Sequence, residues 1–192
     1  MTMAKPLDLD VLNPAVTGVM EEVLAKLGGI NPTASPTTKT VDIEEYEGRM
    51  RVNGIDKFQA PSYISTVVFY SSAGDAGQHR NAKGTVVLYV DHENAGKLFN
   101  GLGFRVPEDE DDVSMMESCG KMADLIASTF KNRLVQQGYA DLAKSAPSNY
   151  KNSVPEGVEF SKDQTSKQEY CFFYWKRKAI IVEVALTPIP RR

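Results

Sequence analysis

The stretch from Asp112 to Gln137 constrains this chain more than any other. Met116, Cys119, Ala123, Ile126, Ala127, Phe130 and Leu134 recur at three- and four-residue steps, which puts them on one face of a helix. Gly138 supplies the stop. At ~1.5 Å per residue such a helix is roughly 39 Å long. An apolar stripe of that length has to lie against a partner of similar extent. The chain offers one in four strands rich in β-branched and aromatic residues: Tyr63–Tyr70, Thr85–Val90, Glu169–Trp175 and Ala179–Leu186. The last two are joined by Lys176-Arg177-Lys178 and read as a hairpin, and Ala179–Val182 is apolar enough for the middle of a sheet.

The other elements are shorter. Pro14 to Leu27 reads as a helix capped by Asn13, with Val16, Val19, Met20, Val23, Leu24 and Leu27 on one face and Gly28-Gly29 as the stop. Asn31 to Thr40 is rich in Pro and Thr and reads as a loop; Val41 to Tyr46 alternates weakly and reads as a strand. Asp91 caps a short helix with Ala95, Leu98, Phe99 and Leu102 on one face. Val158 to Phe160 reads as a short strand. The order is helix, strands, helix, long helix, strands. That is α+β, with helices packed on a largely antiparallel sheet. The 192 residues make one domain, its core running from about 13 to 187 with short extensions at each end.

Composition narrows the function. Lys plus Arg is 22 against 25 Asp plus Glu, a net charge of −3, so the basic footprint of a nucleic-acid binder is missing. No apolar run approaches the ~20 residues of a membrane-spanning helix. The first ten residues hold no apolar stretch, so no secretory signal is expected and a cytoplasmic location is. Cys119, Cys171, His79 and His92 form no metal-ligand spacing, and the cysteines read as packed and inert. Gly74, Gly77 and Gly84 lie between two strands, where a hairpin loop is favoured over a phosphate-cradling one. The acidic run Glu108–Asp112 suits the positive N-terminal end of the helix that follows.

A second line runs along the long helix: Glu117, Lys121, Asp124 and Ser128, at steps of four, three and four. It is polar and should face solvent or a partner. By pair geometry alone it is a charge ladder, each rung contributing a few tenths of a kcal/mol. Met116, Ile126 and Phe130 should be buried beneath it.

The segment Glu117-Ser118-Cys119-Gly120-Lys121-Met122-Ala123-Asp124-Leu125-Ile126-Ala127-Ser128 resembles the signature helix of the CheC/CheX/FliY chemotaxis phosphatases. Their pattern is an acidic or Ser residue, three spacers, Glu, two spacers, Asn, then Pro after twenty-two more. Glu117, Lys121, Asp124 and Pro147 keep that spacing. Asn13-Pro14-Ala15-Val16, and a strand from Gly84 to Val90 followed by a helix, resemble the CheX branch. The resemblance implies a CheX-like fold, with long helices on a largely antiparallel mixed sheet. It implies a homodimer and a response regulator of the CheY type as partner. In the family the Glu contacts the regulator's active-site lysine, and the Asn carboxamide orients the water that attacks the aspartyl phosphate. Here Lys121 stands at the Glu position and Asp124 at the Asn position. A lysine repels a lysine, and an ionised carboxylate cannot donate a hydrogen bond as a carboxamide does. The resemblance therefore implies a regulator-binding domain with weak or lost phosphatase activity. Lys121 and Asp124 take the catalytic positions, and Glu117, Lys121, Asp124, Ser128 and Pro147 the docking positions. An active phosphatase using Asp124, or a structural or oligomerisation domain of the flagellar-chemotaxis system, is the alternative. No cofactor is implied in the chain itself; a phosphorylated regulator would bring Mg.

Overall fold

The computed structural model describes residues 8–106 and 111–192. Seven strands form the main sheet: β1 (Ala34–Asp42), β4 (Ser62–Tyr70), β5 (Ala82–Asp91), β6 (Ala143–Lys144), β7 (Ser148–Lys151), β9 (Ser166–Tyr174) and β10 (Arg177–Leu186). The order is β1-β9-β10-β5-β4, and both β6 and β7 pair the outer side of β4. Every pairing in it is antiparallel. The four strands expected to carry the long helix lie in this sheet, and β10 is central, between β9 and β5; the strand expected at Val41–Tyr46 is instead split between the end of β1 and a separate strand, Glu45–Tyr46.

Three helices cover one face: α1 (Leu9–Met20), α4 (His92–Gly101) and α5 (Asp112–Gln136). Their apolar stripes meet Tyr63, Val67, Phe69, Val86, Leu88, Val90, Phe172 and Val182 from the strands. The opposite face carries a second layer that the sequence reading did not anticipate. It is a small sheet of β2 (Glu45–Tyr46), β3 (Arg49–Asn53) and β8 (Ser153–Val158), with the single turn α2 (Ile55–Phe58). Met50, Val52, Val154 and Val158 of this layer pack on Ile64, Val68, Val87, Tyr89 and Ile181. With both faces covered, β4 is buried along its whole length. That is why it reads as an apolar run and not as an alternation. The strand expected at Val158–Phe160 is misplaced: β8 runs from Ser153 to Val158, and Glu159 and Phe160 lie beyond its end.

Three local expectations are corrected. The Pro- and Thr-rich stretch from Asn31 to Thr40 is no loop: β1 begins at Ala34 and pairs with β9. It is an edge strand, exposed along nearly its whole length, so ladder hydrogen bonds order it and no apolar alternation marks it. Its Pro36 is tolerated at a sheet edge. The first helix begins at Leu9, not Pro14; Asp8 is the cap, its carboxylate accepting from the Asp10 N–H at 3.1 Å. Asn13 instead accepts a hydrogen bond from the Tyr170 hydroxyl at 2.6 Å, tying α1 to β9. Beyond Met20 the helix widens into a π-helical stretch, Glu21–Leu27. At that junction the Arg133 guanidinium of α5 donates to the Gly18 carbonyl and the Glu22 carboxylate, at 3.1 and 2.9 Å. A side chain entering the ladder is a standard cause of such a change of pitch.

The connection between β4 and β5, residues 71–81, is a long hairpin loop with one helical turn, α3 (Ala73–Gly77), capped by Ser72. No described helix is long and apolar enough to cross a membrane.

Candidate functional site: the cleft beside the long helix

The chemistry-bearing helix α5 is fixed at its start. Asp111 is the cap, accepting from the Ser114 N–H at 2.8 Å, and the Ser114 hydrogen bonds hold its carboxyl below the usual range. Asp112 is gripped by Lys151 of β7 and by the Tyr63 hydroxyl of β4, each at 2.8 Å, and these bonds lower its pKa too. The favourable cap expected of the acidic run is thus made by Asp111 and Asp112; Glu108–Glu110 lie outside the described residues.

Pinned there, α5 turns Met115, Cys119, Met122, Ile126 and Phe130 into the core. The phase differs slightly from the sequence reading: Met115 is the fully buried methionine, while Met116 is half-buried at the margin. The polar line falls where it was expected. Glu117 and Lys121 are exposed, and Asp124 is partly so.

The short β6–β7 segment runs beside this line. Between them lies a cleft of about 590 Å³ lined by Glu117, Gly120, Lys121 and Asp124 from α5 and by Lys144, Ser145, Ala146, Pro147 and Asn149 from the segment. Glu117, Lys121, Asp124 and Pro147 are therefore brought together. Ser128, one turn further along, is half-buried and outside the cleft.

Three cleft residues carried no signal in the sequence. Lys144 forms an ion pair with Asp124. Asn149 stands opposite Ser65 in the β4–β7 pairing and accepts a hydrogen bond from its hydroxyl at 2.8 Å. Gly120 makes room for that amide: a Cβ at position 120 would come within 2.5 Å of its oxygen and 2.6 Å of its nitrogen. Lys144 is placed by β6 pairing with β4, and Asn149, with the room Gly120 leaves for it, by β7 pairing with β4, contacts between distant segments that no local pattern announces. Glu117 and Lys121 form no ion pair with each other or with any other described residue.

Gly120→Ala should thus cost about 1–3 kcal/mol by overpacking against an anchored neighbour. Lys121→Ala, at the exposed rim, should change stability by within ~0.5 kcal/mol. Urea denaturation of the two variants checks both.

Among the described residues no group of three or more His, Cys, Asp or Glu is placed to hold a metal. Burial pushes the Cys119 thiol up to about 12 and raises Cys171 as well, so neither carries thiolate chemistry near neutral pH.

No family model and no curated protein sequence matches the chain. Solved structures do. A chemotaxis protein CheX from Desulfovibrio desulfuricans superposes with a TM-score of 0.57 at 14% identity, over 92% of this chain and 99% of that one. CheX in a CheX–CheY–BeF3–Mg2+ complex from Borrelia burgdorferi does so at 0.50 and 15%, over 91% and 94%. The chain has the CheC/CheX/FliY fold. The middle domain of FliM from Vibrio alginolyticus is also similar, at 0.56 and 11%, over 93% and 92%. On this CheX-like fold, the ridge picked out by motif spacing is the one that borders the cleft.

Proposed function

We propose that this chain is a CheX-like signalling domain that binds a response regulator of the CheY type through the cleft beside α5, with weak or lost phosphatase activity. The observation that carries the reading is the convergence of Glu117, Lys121, Asp124 and Pro147 on one cleft. The fold neighbour found in complex with CheY supports the choice of partner.

The same geometry argues against efficient catalysis. Positioning is most of the work in phosphoryl transfer. Asp124 cannot donate to a water, and its carboxylate is already engaged by Lys144. That pair also offsets the negative charge that Asp124 would otherwise place beside a phosphoryl group. The repulsion between Lys121 and a regulator lysine has a remedy in Glu117. It is exposed, unpaired with any described residue, and about 6 Å back along the helix axis.

The test is decay of a phosphorylated regulator from the same cell, with Mg supplied in the buffer. Wild type should bind it yet raise the decay rate by less than about tenfold, and Lys144→Met, which frees Asp124, should change that little. A wild-type acceleration of several hundredfold that Asp124→Asn abolishes would make the chain an active phosphatase. The likeness to the FliM middle domain favours a second reading, a structural flagellar domain, which predicts no regulator binding at all.

The homodimer belongs to this proposal. The outer edge of β1 pairs with no described strand, and its exposed main chain is a template for a second copy. Light scattering at micromolar concentration should give twice the 21.2 kDa chain mass. A second proline in β1, at Thr38, should shift it to the monomer; a monomeric wild type contradicts the pairing.

A further inference from the structure

The cleft holds three side chains with donors left unspent: Lys121, Lys144 and Asn149. Lys121 has an ammonium with no described partner, and Lys144 spends one of its three N–H groups on Asp124. Asn149 gives its oxygen to Ser65, and its NH₂ donates to no described group. The amide is also rigidly placed, held by Ser65 on one side and lying flat over Gly120 on the other. Of the acceptors, Asp124 gives one carboxylate oxygen to Lys144, whose charge offsets its own, and Glu117 also lines the cleft. A fixed amide donor in a cleft that two lysines also line complements a compact anion with several oxygens.

We infer that Asn149, reached from β7 across Gly120, is the anion-orienting group of this cleft, with Lys121 as its charge partner, and that the anion is the phosphoryl group of an acyl phosphate on the docking protein. This rests on the regulator-binding reading for its occupant and on the cleft itself for its chemistry. The carboxamide thus comes from a strand, while position 124 on the helix holds a carboxylate. Gly120 is the enabling residue, because any larger side chain there displaces the amide. The cleft would read whether the partner is phosphorylated without having to turn the phosphate over.

Two measurements on the full chain test it. In the first, acetyl phosphate is titrated into the ¹⁵N-labelled protein. Saturable shifts are expected at Gly120, Lys121 and the Asn149 side-chain amide, and are expected to vanish in Asn149→Ala. In the second, binding is measured to each CheY-type regulator of the same cell, with and without beryllofluoride and Mg2+. Wild type should prefer the loaded form, and Asn149→Ala should lose roughly tenfold toward it, the scale of one hydrogen bond to a charged group, with little change toward the unloaded form. Thermal melts identify any variant that fails to fold. Ser65→Ala, which removes the anchor and keeps the amide, should lose less than Asn149→Ala. Regulator binding that ignores beryllofluoride, or a preference that survives Asn149→Ala, overturns the inference and leaves the regulator reading standing. Acetyl phosphate shifts without any regulator binding sustain the anion cleft and sink the regulator reading. Neither effect overturns both.

Discussion

Glu183→Ala is expected to cost about 3–5 kcal/mol of folding stability, the scale of leaving a buried charge without its partner. Glu183 lies on the sheet face opposite the helices, beneath α2, and its side chain is 1% exposed. It accepts a hydrogen bond from the fully buried Tyr89 hydroxyl. Lys167 approaches it at 2.7 Å and Lys57 at 3.2 Å. Lys57 also reaches Glu169 at 2.5 Å, and Lys39 reaches Glu169 at 3.3 Å from the rim. Deleting Glu183 strands Lys167, 7% exposed, which forms no ion pair with another described residue. For a chain of this size the corresponding fall in Tm is roughly 6–20 °C. Lys131→Ala, breaking the more exposed pair with Asp141, should cost no more than about 1 kcal/mol. A Tm drop of equal size in both variants would show that the cluster is not buried as described.

The same cluster sets a pH window. Burial alone would raise the Glu169 carboxyl, but the hydrogen bond and charge of Lys57, with Lys39, outweigh it and hold its pKa below the ordinary 4.5. Its contribution is full above that value and is lost as pH falls through the lowered one. Burial alone would lower the Lys57 ammonium, but Glu183 and Glu169 outweigh it and raise its pKa above 10.5. Its contribution is full below 10.5 and is lost only above the raised value. Stability from this cluster should therefore be flat between about pH 5 and 10 and fall outside that range.

The second large effect concerns binding. Lys121→Glu should weaken the complex with a beryllofluoride-loaded regulator by at least about tenfold, since reversing a charge near an anion changes the sign of a term worth up to ~4 kcal/mol at 4 Å and an effective dielectric of 20. Raising the salt should shrink the difference, as it does for an exposed pair. Because Lys121 is at the rim, melting should be unchanged. Tighter binding by Lys121→Glu would show that the partner presents a cation, not an anion, at this point.

Much of the fold was legible in the sequence because its signals are local. The bounds of α5 follow from an acidic cap, a 3.6-residue stripe and Gly138, which takes a positive φ of 89°. The central strands announce themselves by apolar runs, but the turn between β9 and β10 is Trp175-Lys176, not the expected Lys176-Arg177-Lys178, because Arg177 and Lys178 already pair with Tyr174 and Phe173. What stayed hidden is what depends on distant pairings. β1 has no apolar face to reveal it, since it is ordered by β9 alone on an exposed edge. The small sheet is built from β2, β3 and β8, whose pairing joins Met50 to Val158 across the chain. The site divides in the same way. Its helix half, Glu117, Lys121 and Asp124, is marked by spacing, and Pro147 by the motif. Its strand half, Lys144 and Asn149, appears only once β6 and β7 have paired with β4.

Hydrogen–deuterium exchange of the full chain, alone and with each CheY-type regulator in its beryllofluoride-loaded form, tests the central claim most directly. The account predicts that one regulator forms a complex and slows exchange over 117–124 and 144–149 together, with the outer face of the small sheet unchanged. A complex that protects the small sheet or β1 and leaves the α5 cleft unprotected would contradict it, as would the absence of a complex with every regulator.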